Sequence, residues 1–339
     1  MNDKKIKVKI SCLHDMPPLL RQLPDKSTIL GNCEFLINTN ERDCDFFFVL
    51  HGVERPELAK CPSENVVLVT GEPESVFRYP SKYLKQFGCV LTCQQSLLKK
   101  KKKTLKSMPA SPWFVGAQML SRNPWVWDEN NYLDYNYFCL ETGNNSINKL
   151  AVVTSNKVTT KGHQRRLDFI YKLKELLSDL VDIYGTGFIP IKDKYEIYSK
   201  YKYALIIENS NYLDYWTEKI ADCYLSNCFP FYIGCPNIKT YFPDSSLEEL
   251  SFDNLEYAVK AIKEAIMNDR YNRVKPILKE AKRMVLDKYN IFFVILQYIK
   301  QCDRQNYTLK EDIEINPISC FTSDLGYRIK NRIIRLIGE

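Results

Sequence analysis

Short apolar runs that end in small or polar residues, each followed by a helical pattern, recur along the chain, and this repeat constrains the fold more than any other feature. In the first half the runs are Ile6 to Ile10, Cys44 to Leu50, Asn65 to Val69 and Cys89 to Leu91. In the second half they are Leu150 to Val153, Val181 to Tyr184, Tyr203 to Ile207 and Phe229 to Ile233. Strands that alternate with helices form parallel sheets. The fold class expected is therefore α/β, with two Rossmann-like halves.

A chain of 339 residues suits two domains. Between the two sets of strands, Ser107 to Asn148 carries Pro109, Pro112, Pro124, a cluster of aromatics and Gly143-Asn144-Asn145-Ser146, which reads as irregular structure and a linker. The expected division is residues 1–148, then 149–300, then a tail at 301–339. Leu255, Val259, Ile262 and Ile266 fall at helical spacing, and Val274 to Tyr298 reads as one or two further helices. The tail closes on Tyr327 to Glu339, where Ile329, Ile333, Leu336 and Ile337 share one helical face and basic residues lie largely elsewhere.

Composition excludes several classes. Apolar residues at 45% and aromatics at 13% fill two cores, and 26% charged residues with no long polar tract excludes a disordered chain. The start, with Ile6-Lys7-Val8-Lys9-Ile10, reads as a strand and lacks the apolar core of a signal peptide. The longest apolar stretch, Ile291 to Leu296, falls far short of the roughly 20 residues that cross a bilayer. Twelve cysteines, mostly inside apolar runs and without a CxxC pair, read as free thiols of a cytoplasmic protein. A formal charge of +7 suits an anionic substrate or surface.

In open parallel sheets ligands bind beyond the carboxyl ends of the strands. Thr70-Gly71-Glu72, Thr154-Ser155-Asn156 and Glu208-Asn209-Ser210 follow apolar runs in that way. The third continues through Tyr215-Trp216-Thr217-Glu218-Lys219 into a helix, so Glu218 and Lys219 occupy a first turn, where backbone N–H groups and a lysine both favour phosphate. After Ser155-Asn156, a Thr- and Lys-rich loop leads to Arg165-Arg166, read as the head of the next helix. For an arbitrary helix, Glu218 is an ordinary first-turn acid and Lys219 a solvated lysine.

The stretch Tyr201-Lys202-Tyr203, Glu208-Asn209-Ser210, Tyr215-Trp216-Thr217-Glu218-Lys219 and Phe229-Pro230-Phe231-Tyr232-Ile233-Gly234 resembles the signature of family 10 glycosyltransferases, the α1,3/4-fucosyltransferases. Trp216 departs from it, since valine is more usual there. Val153-Thr154-Ser155-Asn156 with Arg166, Phe169 and Leu173 is similar to the family's Ser-Asn loop and Arg-x-x-Phe helix, and Thr70-Gly71-Glu72 to its Thr-Gly-Glu. The likeness runs over roughly residues 65 to 300.

The resemblance implies the GT-B architecture, two Rossmann-like domains facing a cleft, with inverting transfer of fucose from GDP-fucose to a glycan hydroxyl. It implies Glu72 as catalytic base, with Glu74 the next candidate. Arg166 and Lys219 are then expected on the diphosphate, Glu218 on ribose or fucose hydroxyls, and Asn209, Ser155, Asn156 and Glu208 on the donor, with Tyr215 against the nucleotide. No cofactor is required, although a divalent cation on the diphosphate remains compatible with the residues. Asp43-Cys44-Asp45 has the Asp-x-Asp form of a metal site but precedes its strand instead of following it.

Rival readings are another nucleotide-sugar donor, or a nucleic-acid-binding protein using the Lys99 to Lys103 run, which no stacking aromatics interleave. The expected partners are a nucleotide sugar and a glycan acceptor, with no nucleic acid. Peripheral contact with an anionic membrane through residues 327–339 is also expected.

Overall fold

The computed structural model describes residues 5–12, 16–99, 103–122, 125–158, 161–302 and 309–322. It divides into two compact units. The first comprises 1–111, 212–215 and 291–339, and the second 112–211 and 216–290.

The first unit is built on a seven-stranded sheet from strands β1 (Ile6–Cys12), β2 (Ile29–Leu30), β3 (Cys33–Ile37), β4 (Phe46–Leu50), β6 (Val66–Val69), β7 (Cys89–Thr92) and β8 (Thr104–Lys106), with β5 (Glu57–Cys61) outside it. The order is β2-β3-β1-β4-β6-β7-β8, and every pairing except β2 with β3 is parallel. Strands β4 and β6 are buried along their whole length. That is why they read as unbroken apolar runs: a central parallel strand is covered on both faces. Helices α1 (Ser81–Leu84) and α2 (Gln95–Leu98) are single turns.

The second unit opens with the antiparallel pair β9 (Ala117–Arg122) and β10 (Trp125–Tyr132) and helix α3 (Tyr135–Leu140). Its all-parallel sheet has the order β12-β11-β13-β14-β15, from β11 (Ile147–Ser155), β12 (Val181–Thr186), β13 (Tyr201–Ile207), β14 (Phe229–Ile233) and β15 (Glu248–Glu249). Helices α4 (Lys161–Leu177), α5 (Tyr195–Tyr198), α6 (Glu218–Leu225), α7 (Leu255–Met267) and α8 (Arg270–Asp287) connect and cover it. Two α/β units on predominantly parallel sheets are the Rossmann-like halves expected from the apolar runs.

The boundaries differ from the expected ones. Ser107 to Asn148 is not a loose linker. Trp113 is buried against Phe138, and the N–H groups of Phe114 and Val115 both donate to Asp222 Oδ1 at 3.0 Å, so the second unit begins at Pro112 and not at 149. The chain leaves that unit at 290. Helix α9 (Ile291–Gln301) packs Phe292 edge-on to Phe35 at 4.9 Å and Tyr298 onto Phe48 at 5.7 Å, and β16 (Glu311–Ile315) pairs antiparallel with β5. The amphipathic segment Tyr327 to Glu339 and Lys100 to Lys102 lie outside the described residues. No described helix is long and apolar enough to cross a membrane.

Candidate functional site

Strands β11, β13 and β14 are parallel neighbours, so their carboxyl ends share one edge of the sheet. The pairing of Val152 with Leu205, carried on three residues, sets Ser155 level with Glu208. The two predicted loops therefore meet.

Glu208 is buried and fully engaged. Its Oε1 accepts the Thr217 N–H at 2.9 Å. Its Oε2 accepts the Thr217 hydroxyl at 2.7 Å and the Lys219 ammonium at 3.3 Å. Thr217 is the N-cap of α6 and its Oγ1 in turn accepts from the Lys219 N–H and ammonium, at 3.4 and 3.0 Å. The acid thus ties the end of β13 to the start of α6. The expected contact of Glu208 with the donor would have to be made by a carboxylate already bonded inside the protein. Gly234 has its place for the same reason, since a Cβ there would lie 2.6 Å from Glu208 Cγ.

Glu218 and Lys219 open α6, as expected, with their side chains part-exposed at 14% and 25%. The Lys219 ammonium is 3.4 Å from Glu218 Oε1 as well as 3.3 Å from Glu208. Burial works against the lysine's charge, and the two carboxylates overcome it, holding its pKa above the ordinary value. Burial likewise pushes the Glu218 carboxyl up, but Lys219 and then Lys194 outweigh it and hold it below the usual carboxylate range.

Two residues absent from the sequence reading complete this cluster. Lys194 bridges Asp222 Oδ2 at 2.8 Å and Glu218 Oε1 at 4.0 Å, with its ammonium 5.5 Å from the centre of the Phe114 ring. Asp222 is fully buried. Its signal was legible, since a lone acid within Ile220-Ala221-Asp222-Cys223-Tyr224-Leu225 must find a partner inside. Lys194, in a polar stretch, gave none.

Arg166 lies in the second turn of α4, because the helix begins at Lys161 and not at the arginines. Arg165 turns outward, pairs with Asp253 at 2.5 Å and stacks over Phe252 at 5.1 Å. Arg166 turns back to the strand end, where one terminal N–H reaches the Ser155 carbonyl at 3.4 Å. Its buried Nε has no hydrogen-bond partner, and no carboxylate pairs with it among the described residues. Burial depresses its pKa. The structure thus separates the two arginines and leaves Arg166 as the cation with unspent charge. Asn156 is exposed and lies over Gly187, where a Cβ would come within 2.1 Å of Asn156 Cγ. Asn209 is exposed just past β13.

Tyr215, expected against the nucleotide, is only 2% exposed. Trp216 is also buried, edge-on to Tyr241, Phe242 and Tyr289 at 5.2 to 5.6 Å, and its indole N–H has no partner among the described residues. It serves apolar packing behind the helix start.

In the first unit Glu72 is exposed one residue beyond a tightly built turn. The Glu72 carbonyl accepts from Gln94 Nε2 at 2.8 Å, Gly71 N–H donates to the Tyr79 hydroxyl at 3.4 Å, and that hydroxyl donates to the His51 carbonyl at 3.3 Å. Any Cβ on Gly71 would lie 2.5 Å from the His51 ring. Glu74 is committed elsewhere, to the Ser96 N–H at 2.6 Å and Arg78 at 3.6 Å. Asp43 and Asp45 both receive the Lys310 ammonium, at 3.0 and 3.1 Å, so this Asp-x-Asp pair is filled by a lysine.

The second unit thus gathers at its strand ends an arginine without a carboxylate partner among the described residues and a charged helix start, groups that suit phosphate. Residues 145–274 match the family described as glycosyltransferase family 10 (fucosyltransferase), C-terminal part. The chain is 33% identical over 111 residues to the alpha-(1,3)-fucosyltransferase FucT of Helicobacter pylori, a stretch covering 32% of this chain and 23% of that protein. It is 36% identical over 73 residues to a putative fucosyltransferase-like protein of Arabidopsis thaliana, covering 21% of this chain and 14% of that one. The matches thus span less than a quarter of those relatives' length. A crystal structure of an alpha1,3-fucosyltransferase with GDP-fucose aligns with a TM-score of 0.49 at 18% identity, over 90% of this chain and 93% of that one.

Proposed function

We propose that this protein is an inverting glycosyltransferase that transfers fucose from GDP-fucose to a glycan hydroxyl. The observation that carries the reading is Arg166, a part-buried cation at the carboxyl edge of the segment that matches family 10, with no carboxylate to neutralise it among the described residues. A diphosphate supplies the missing charge. Lys219 assists less, because Glu208 and Glu218 already share its ammonium. Glu218 takes donor hydroxyls, and Asn209, Ser155 and Asn156 line the same strand ends.

In the reaction the acceptor oxygen attacks the anomeric carbon as the bond to the β-phosphate oxygen breaks. Glu72 takes the acceptor proton, and the negative charge that develops on GDP falls to Arg166 and Lys219. A thermal-shift series with GDP, UDP and CMP tests the donor: GDP at a hundredfold above its Kd is expected to add about 2.7 kcal/mol of stability. Stabilisation by UDP or CMP and not by GDP overturns the assignment. A cytoplasmic location with membrane contact through residues 327–339 belongs to the same reading, and equal liposome flotation with and without those residues removes that part of it.

A further inference from the structure

We propose that Lys194 is a positioning residue of the donor site, its ammonium bridging Asp222 and Glu218 so as to tie the Glu218 carboxylate to Asp222, which the backbone N–H groups of Phe114 and Val115 hold in place. The proposal rests on the reading of Glu218 as a donor contact. Glu218 and Asp222 stand four residues apart on α6, so two like charges share one face of a short helix, where they repel. Asp222 is fully buried, and its Oδ1 is spent on the Phe114 and Val115 N–H groups. Its Oδ2 is left to Lys194 at 2.8 Å, and the same ammonium lies 4.0 Å from Glu218.

The groups that face Glu218 are Lys219 and the Thr217 cap on its own element, Lys194 before α5, and Asp222 one turn on. Glu208 acts on it through Lys219. Of the two cations, Lys219 is divided between Glu208 and Glu218. Lys194 is therefore the group whose loss leaves Asp222 and Glu218 opposed, and burial then favours protonating Asp222, since Glu218 keeps Lys219. A Glu218 carboxylate pushed aside by a charged Asp222 accepts donor hydroxyls less well.

The test measures GDP-fucose affinity by calorimetry from pH 5 to 8 for the wild type, Lys194→Met and Lys194→Arg, with thermal unfolding of each free protein. Lys194→Met is expected to bind about tenfold more weakly near pH 8, where Asp222 and Glu218 are both charged, and to recover toward pH 5.5 as Asp222 takes a proton, while Lys194→Arg restores the wild-type profile. A folded Lys194→Met protein with wild-type affinity throughout, or with the same loss at every pH, overturns the proposal. A second measurement needs neither donor nor that variant. Titrating the Glu218 carboxyl by carbon-13 NMR in Asp222→Asn, identified by difference from Glu218→Gln, should show it moving further down, because Lys194 loses its competing acid. An unmoved Glu218 contradicts the bridge. Failure of GDP-fucose to bind the wild type overturns the donor reading and leaves this titration as the test of Lys194.

Discussion

The carboxylate of Glu208 lies 3.3 Å from the ammonium of Lys219, so the acid that follows strand β13 is the counter-ion of the lysine that opens helix α6. Replacing Glu208 with Gln removes that charge while keeping the side chain's shape. Stability in urea should fall by about 1 to 3 kcal/mol, the usual cost of spoiling a buried charged hydrogen-bond group. GDP should bind at least as tightly as to the wild type, because the Lys219 charge is then less divided. Lys219→Ala should weaken GDP binding instead. Unchanged stability in Glu208→Gln would show that the pair does not build the helix start.

Gly71→Ala places a methyl carbon 2.5 Å from the His51 ring, so either the ring or the turn before Glu72 must move. A displacement of about 1 Å at a catalytic group costs roughly 10²-fold in rate. Transfer is expected to fall by that order while GDP affinity, which the proposal assigns to residues of the other unit, stays within about twofold. Steady-state kinetics beside calorimetry reads both, and equal losses in the two would argue against a role confined to Glu72.

Lys282 is 4% exposed, donates to the Glu141 carbonyl at 2.8 Å and to Asn227 Oδ1 at 3.2 Å, and burial pushes its pKa down to about 8 in spite of Glu141. Below pH 8 both folded and unfolded chains hold this proton, and the folded one bears the cost of a buried cation. Between about 8 and 10.4 the unfolded chain binds more protons, so stability rises with pH, and above that the gain is complete. The rise from this residue is of the order of 3 kcal/mol. Urea unfolding at pH 7, 8.5 and 10 should show it in the wild type and not in Lys282→Met; parallel curves would contradict it.

The parallel strands were legible because strands such as β4, β6 and β14 are buried on both faces and carry little but apolar residues. So was the opening of α6, where Thr217 caps and Glu218 follows. The start of α4 was not, since Gly162 and His163 are weak helix formers and read as loop. Strand β16, Glu-Asp-Ile-Glu-Ile, carries no apolar run, and it pairs with β5 some 250 residues earlier, a distance no local pattern spans. The strand-end residues proposed for the site were read from their position after apolar runs and from the family resemblance. The charge sharing among Glu208, Lys219, Glu218, Lys194 and Asp222 depends on side chains brought together only by folding.

GDP release from GDP-fucose by the purified protein, compared with GDP-mannose and UDP-sugars, tests the central claim most directly. The wild type is expected to turn over GDP-fucose in preference to the others. Glu72→Gln should lower that rate by roughly 10² to 10⁴ with GDP affinity nearly intact, and Arg166→Ala should weaken affinity and turnover together. Turnover of a UDP-sugar in place of GDP-fucose, or wild-type rates in Glu72→Gln at saturating substrates, would contradict the account.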